Sequence, residues 1–254
     1  MNKRKPMKQK RQVPLLFEIG CEEIPARMLE GARIELGNLV RKGIQDAGLA
    51  GSGKLDVRAF ATPRRLAVYV PSLLGSQPDQ LEEMQGPPAR VAYDANGQPT
   101  PAAAGFARKC GVGLDSLERV SKGGGEYVMA RRVRLGKSAN EVLPALLEDV
   151  ISRLSFPATM YWLKKSGPRF IRPVRWLLAL LGEGRQARVI KLAFGDVKAS
   201  DATFGHRRRG RRPIRLKSFR QYSSTLAKHG VLIETNERRE LLEKNIKVLV
   251  EKRG

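Results

Sequence analysis

At 254 residues with 41% hydrophobic content, the chain is long enough for one large domain or two modest ones and apolar enough for a real core, which excludes disorder as its default state. Its 48 Lys and Arg against 25 Asp and Glu give a net charge of +23, a field that attracts polyanions and narrows the partners to RNA, DNA or an anionic membrane. No apolar run reaches the roughly 18 residues a spanning helix needs, and the 2 cysteines, Cys21 and Cys110, lack the spacing of a disulfide framework or a zinc site.

Residues 1–12 carry Lys3, Arg4, Lys5, Lys8, Lys10 and Arg11 with no acidic residue among them, which predicts a self-repelling, disordered basic tail. The long apolar stretch and small-residue cleavage site of a signal peptide do not follow it, so a cytoplasmic location and no membrane partner are expected. An α+β body is predicted over 13–200, as one domain or as two subdomains split near 71–111. Leu15, Leu16, Phe17 and Ile19 predict a strand, and Gly20-Cys21-Glu22-Glu23-Ile24-Pro25 turns it into a helix. Pro25 suits the first helical position, and Glu22 and Glu23 lie where a positive helix end favours carboxylates. Met28, Leu29, Ala32, Leu36, Leu39, Val40 and Ile44 form one apolar stripe, closed by Gly48. Val57 to Phe60 and Leu66 to Val70 are then predicted strands around the turn Ala61-Thr62-Pro63-Arg64-Arg65.

From Pro71 to Gly111 the composition predicts loop, with Pro87-Pro88 and an Asn96-Gly97 turn, until Thr100 caps a short alanine-rich helix carrying Phe106, Arg108 and Lys109. A strand is expected after Gly123-Gly124-Gly125. Ser138 with Glu141 reads as a capping box before the stripe Leu143, Leu146, Leu147, Val150, Ile151 and Leu154, whose first turns Pro144 is expected to kink. Met160-Tyr161-Trp162 and Ala187 to Phe194 are further sheet elements. Between them, Val174 to Leu181 is apolar except for Arg175 and bounded by Pro173 and Gly182, which predicts a buried central strand. Beyond Ala199, Ser218 with Gln221 caps a helix bearing Phe219, Tyr222 and Leu226 and stopped at Gly230. A last helix from about Asn236 carries Leu241, Leu242, Ile246 and Leu249 with no later element to meet them, so residues 201–254 read as a basic loop and the start of a longer helical region, or as a surface for a partner chain. The fold class expected is α+β, mixed sheets with packed helices.

Three constellations bear on chemistry. Gly48 to Lys54 satisfies most of a phosphate-loop pattern, but Leu55 replaces the magnesium-holding hydroxyl and the loop leaves a helix to enter a strand, the reverse of the required order. Cys21, Glu22, Glu23 and His206 could supply a nucleophile, a base and a carboxylate, yet no carboxylate near His206 in sequence would orient its ring, so covalent catalysis is not expected; metal binding lacks clustered ligands. The arginines are the stronger signal. Arg207, Arg208, Arg209, Arg211 and Arg212 crowd into six positions, Arg64 and Arg65 form a second basic point, and Arg169, Arg172 and Arg175 sit three apart where the chain enters the central strand. Arginines of the last group either pair with the chain's own carboxylates at a sheet edge or receive a phosphate-rich partner. Phosphate attraction is indicated; the glycine-flanked aromatics of an RNA-recognition sheet are missing, so base readout is not.

Five blocks in order carry a family resemblance: Leu16-Phe17-Glu18-Ile19-Gly20-Cys21-Glu22-Glu23-Ile24-Pro25, Phe60-Ala61-Thr62-Pro63-Arg64-Arg65-Leu66, Gly105-Phe106-Ala107-Arg108, Arg169-Phe170-Ile171-Arg172-Pro173-Val174-Arg175-Trp176, and Gly205-His206-Arg207. Together they resemble the N-terminal part of the beta subunit of bacterial heterotetrameric glycyl-tRNA synthetase, which usually has Thr in place of Cys21, Arg in place of Tyr161 and an aromatic in place of Arg208. The resemblance implies a subunit of glycine--tRNA ligase in an alpha2beta2 assembly. The alpha subunit would bind ATP and magnesium and form glycyl-adenylate; the beta subunit would bind and position tRNA(Gly) and dock alpha. No cofactor and no catalytic residue are then expected in this chain, whose contribution would be the ten arginines named above. A free-standing basic RNA-binding or ribosome-associated protein is the alternative, motivated by the charge, the tail and the early chain end.

Overall fold

In the computed structural model, which describes residues 11–163, 167–210 and 212–252, the chain is an α+β protein folded as two compact units. The larger unit takes the chain up to Ser76 and again from Lys137; the smaller is Gln77–Gly136. The larger unit starts with β1 (Gln12–Cys21), α1 (Ala26–Asp46), β2 (Arg58–Thr62) and β3 (Arg65–Leu74). The smaller unit contributes β4 (Gln80–Pro88), α2 (Ala89–Ala92), α3 (Pro101–Cys110), β5 (Leu117–Lys122) and β6 (Gly125–Arg134). The chain then returns through α4 (Ala139–Arg153), the short strands β7 (Met160–Tyr161) and β8 (Arg169–Phe170), and β9 (Val174–Leu181). It ends with β10 (Arg188–Val189), β11 (Ala193–Phe194), β12 (Val197–Ser200), β13 (Ala202–Thr203), β14 (Ile214–Arg215), α5 (Phe219–Lys228) and α6 (Thr235–Glu251).

The main sheet runs β11-β12-β9-β1-β3-β2, with β10 also on β9. Val174 to Leu181 is thus a central strand, antiparallel to β1 on one side and flanked by β10 and β12 on the other. Period-two alternation sorts its residues between two cores. Leu15, Phe17, Ile19, Leu177 and Ala179 face the helical layer, packing with Leu36, Val40 and Ile44 of α1 and Leu143, Leu147 and Ile151 of α4. Each such Leu, Ile or Val, once fully buried, contributes about 1.5–3 kcal/mol. Leu16, Leu178 and Leu180 face the other way, onto Tyr222 and Leu226 of α5. The same alternation puts Glu18 and Gly20 on that second face, and there the site is built.

The small unit has its own sheet, β4-β6-β5, over a core of Ala92, Ala103 and Val128. Its strand β4 corrects the expectation of loop over 71–111. Pro87 and Pro88 end β4, an edge strand whose pairing with β6 shifts register between Gln85 and Pro88, so the missing N–H groups interrupt no central ladder. Strand β5 also went unanticipated, because an edge strand this polar lacks an apolar pattern. It joins β6 through Gly123-Gly124, whose φ values of 60° and 81° suit a two-residue hairpin turn that other residues enter at a cost.

Smaller corrections concern the helix ends. Pro25 precedes α1 with extended backbone, one position before the helix, and the first turn of α1 contains no acidic residue. Thr100 stands at the start of α3, but its hydroxyl donates to the Val91 carbonyl at 2.7 Å and does not cap. The Ser138–Glu141 capping box is present, with the Ser138 N–H 2.9 Å from the Glu141 carboxylate. At α5, Ser218 Oγ accepts from the Gln221 N–H, while the Gln221 side chain turns to the Lys217 N–H. The expected strand over 187–194 divides into β10 and β11. In α6 no described side chain is buried, and Leu242, Ile246 and Leu249 are 61%, 58% and 59% exposed.

Candidate nucleic-acid interface

Glu18 is wholly buried in a strand that is otherwise apolar at its centre. A carboxylate in that position is expensive unless its lone pairs are filled, and here they are. Its oxygens accept from the Trp176 indole N–H of β9, the Tyr222 hydroxyl of α5, and Thr203 Oγ1 of β13 at 2.6 Å. Arg65 Nη1 of β3 stands 3.7 Å from Glu18 Oε2 as an ion pair outside hydrogen-bond range. Burial, and then the Glu18 charge, push the Tyr222 hydroxyl well above its ordinary pKa, so it stays a donor. Arg65 in turn donates to the Phe204 carbonyl at 2.6 Å. One buried carboxylate therefore anchors the start of the arginine loop, which then makes a single 3-10 turn over Arg207–Arg209.

Above this anchor lies Trp176. Gly20, its cross-strand neighbour, leaves room for the indole: a Cβ at Gly20 would come within 1.8 Å of the ring. The Arg64 and Arg65 guanidiniums lie 5.9 and 5.8 Å from the indole centroid, within cation–π range, and the Phe204 ring packs at 4.9 Å.

The segment leaving β1 is stitched on both sides. Cys21 and Ile24 donate to the Arg64 and Pro63 carbonyls of the β2–β3 turn, and Glu22 donates to the Pro173 carbonyl that precedes β9. This holds two carboxylates at the rim. Glu22 accepts from Arg175 Nε at 2.8 Å and Arg64 Nη2 at 3.4 Å. Glu23 accepts from Arg207 Nη1 at 2.8 Å, faces Arg64 Nε at 4.0 Å, and offers its backbone carbonyl to Arg172 Nε at 3.1 Å. Three guanidiniums thus meet two carboxylates and a fourth, that of Arg172, meets the Glu23 backbone carbonyl, leaving an excess of two positive charges beside two open clefts. One, of about 350 Å³, is lined by Thr62, Arg64, Arg65, Gly205, His206 and Arg238 among others. The other, of about 530 Å³, is bordered by Glu22, Arg64, Arg175, Trp176, Phe204 and Arg207.

The predicted arginines divide accordingly. Arg64, Arg172, Arg175 and Arg207 converge, and the pairing with the chain's own carboxylates that the sequence left open is present at this rim. Arg65 belongs to β3, not to the turn, is 2% exposed, and faces Glu18 and the Phe204 carbonyl. Arg169 lies apart from the carboxylates, its guanidinium 5.1 Å from the Tyr161 ring. Arg208, Arg209 and Arg212 are exposed, with Arg209 reaching the Lys228 carbonyl at 3.4 Å; Arg211 falls outside the described residues. Glu22 and Glu23, read from sequence as helix-end charges, serve the arginines instead.

The residues of the covalent-catalysis pattern are otherwise engaged. Burial pushes the Cys21 thiol up to about 12, and His206 Nδ1 accepts the Arg208 N–H at 3.3 Å. Native protein at pH 8 is expected to leave Cys21 unalkylated by iodoacetamide over hours, whereas denatured protein reacts at once; peptide mapping by mass spectrometry reads both, and fast native labelling would show an accessible thiolate.

Sequence reasoning passed over Glu18, Thr203, Tyr222 and Arg238. Glu18 carried a usable signal, a lone charge inside a buried strand; Tyr222 looked like one more member of an apolar stripe. Arg238 of α6 binds the Leu232, Ile233 and Ala61 carbonyls at 2.7, 2.9 and 3.1 Å, and burial lowers its pKa.

Comparison with known proteins gives one consistent result. Residues 15–254 match a family described as glycyl-tRNA synthetase beta subunit. The chain is 41% identical over 230 residues to the glycine--tRNA ligase beta subunit of Acidobacterium capsulatum, a match covering 90% of this chain and 32% of that protein. Against the beta subunits of Magnetococcus marinus and Moorella thermoacetica the identities are 42% over 223 residues and 38% over 240, covering 88% and 94% of this chain and 31% and 33% of those proteins. The chain therefore spans about a third of the length of the curated relatives it matches.

Proposed function

Because this chain belongs to the glycyl-tRNA synthetase beta-subunit family, we propose that it is a tRNA-holding and alpha-docking body for the ATP-dependent attachment of glycine to tRNA(Gly). The observation that carries this reading is the cluster of Arg64, Arg172, Arg175 and Arg207 around Glu22 and Glu23, open on two clefts, in a chain of net charge +23. Guanidinium forks held in place match phosphate oxygens, and fixing them beforehand lowers the entropy lost when RNA docks. Exposed Arg208, Arg209 and Arg212 extend the same surface. In this reading the chain supplies position and charge, within a cytoplasmic alpha2beta2 assembly whose alpha subunit handles ATP, magnesium and glycine. Among the described residues, no helix is long and apolar enough to cross a membrane, and no group of three or more metal-ligating side chains is present.

The test mixes purified chain with a glycyl-tRNA synthetase alpha subunit for size exclusion, then measures binding of tRNA(Gly) and an unrelated tRNA across a salt series. Co-elution with alpha and preference for tRNA(Gly) are expected. No co-elution, with equal affinity for both tRNAs and a steep salt slope, would favour the free-standing RNA-binding reading that the charge alone supports.

A further inference from the structure

We propose that Glu22 and Glu23 are specificity-determining residues, resident stand-ins for phosphate that keep the arginine cluster from retaining RNA indiscriminately; this rests on the polyanion-binding reading above. The two carboxylates precede α1 and do not belong to its first turn. Their side chains are 33% and 46% exposed, and among the described residues the partners of both carboxylates are arginines. Arg64, Arg175 and Arg207 are themselves 25%, 55% and 58% exposed, so solvent, and hence an incoming phosphate, reaches both members of each pair. Each close contact runs through a single guanidinium nitrogen: Nε of Arg175, Nη2 of Arg64, Nη1 of Arg207. Exposed ion pairs of this kind are weak and exchangeable.

The consequence is a threshold. A loosely attracted strand that takes one arginine must displace a carboxylate, trading one charge-assisted contact for another with little gain. An RNA that presents several phosphates at the spacing of the clustered guanidiniums replaces both carboxylates together and gains the exposed arginines beyond them. The carboxylates also cancel two of the four charges of the cluster, which weakens its pull on any passing polyanion. Without them, attraction rises for every RNA, and the fitting one loses its advantage.

The experiment compares the full chain with the Glu22→Gln/Glu23→Gln double variant and with Glu23→Gln alone. Fluorescence anisotropy follows binding of a tRNA(Gly) transcript and of oligouridine of equal length across a salt series. Glutamine keeps the size and a carbonyl acceptor while removing the charge. The double variant is expected to bind oligouridine roughly 10-fold more tightly, with the slope of log K against log salt steeper by about 1 to 1.5, since about 0.7 accrues per single-strand phosphate neutralised. Affinity for the tRNA should change less than about 3-fold, so discrimination falls. Glu23→Gln alone, at a half-exposed side chain that folding does not need, should show about half the effect and retain the parental thermal midpoint. Unchanged or weaker oligouridine binding by both variants, with the parent chain still binding RNA, would overturn the inference alone and make the carboxylates plain supports. A parent chain that binds neither probe would overturn the polyanion-binding reading and the inference with it.

Discussion

Glu18→Ala is expected to cost about 3–5 kcal/mol of stability in the larger unit, the range for removing one partner from a buried ionic network. The physical reason lies in what remains. Arg65 would keep a buried charge with no counterion, and the Trp176, Tyr222 and Thr203 donors would face an empty space with no acceptor. Urea denaturation followed by tryptophan fluorescence reads the loss, and Trp176 reports the site directly because its indole N–H is one of the freed donors. Glu18→Gln, which keeps two polar atoms but not the charge, should fall between the parent and the alanine variant. Since Arg65 carries the tie to Phe204, the alanine variant should also bind RNA more weakly at temperatures where it is still folded. A loss under about 1 kcal/mol would mean that water or a rearranged partner satisfies these groups, and that Glu18 does not organise the loop.

Gly20→Ala should be comparably damaging for an unrelated reason. Small-to-large changes in a packed core cost typically about 1–3 kcal/mol, and here the added methyl would lie 1.8–2.4 Å from three atoms of the Trp176 indole, so a cost above about 3 kcal/mol is expected. The ring cannot slide freely, since it is pinned by its bond to Glu18 and packed against Phe204. Its displacement would disturb the Arg64 guanidinium and lower RNA affinity beyond what instability explains. The two substitutions act through one side chain, so they should not add: in the Glu18→Ala background the indole is released, and Gly20→Ala should cost about 1 kcal/mol less than it does alone. Strict additivity in urea melts would show that Trp176 does not couple them.

What could be read from the residues, and what could not, follows from the range of the forces involved. The helix α1, the capping box at Ser138 and the strand over Val174 to Leu181 were legible because they depend on periodicity and on neighbours three or four positions away. The strands of the small unit were less so: β4 ends in two prolines and β5 is polar, and both persist as edge strands because β6 pairs with β4 from far along the chain and with β5 across the Gly123-Gly124 turn. Within the site, the arginines were visible as charge runs, but their sorting was not. Arg64 and Arg65 are adjacent in sequence, but Arg64 stays in the β2–β3 turn at the rim while Arg65 begins β3 and enters the core.

By itself the sequence determined the α+β class, the central strand, the excess of positive charge and, through five ordered motifs, the family; all of these are written in local pattern or composition. Only the tertiary structure decided that Glu22 and Glu23 meet Arg64, Arg175 and Arg207, and that Glu18 sits beneath them with Arg65. The arginines hydrogen-bonded to Glu22 and Glu23 lie 42 to 184 residues away from the carboxylates they meet. No spacing rule reaches that far. Sheet register sets these contacts, because pairing β1 with both β3 and β9 fixes at once which side chains share a face and which carboxylate each arginine can reach.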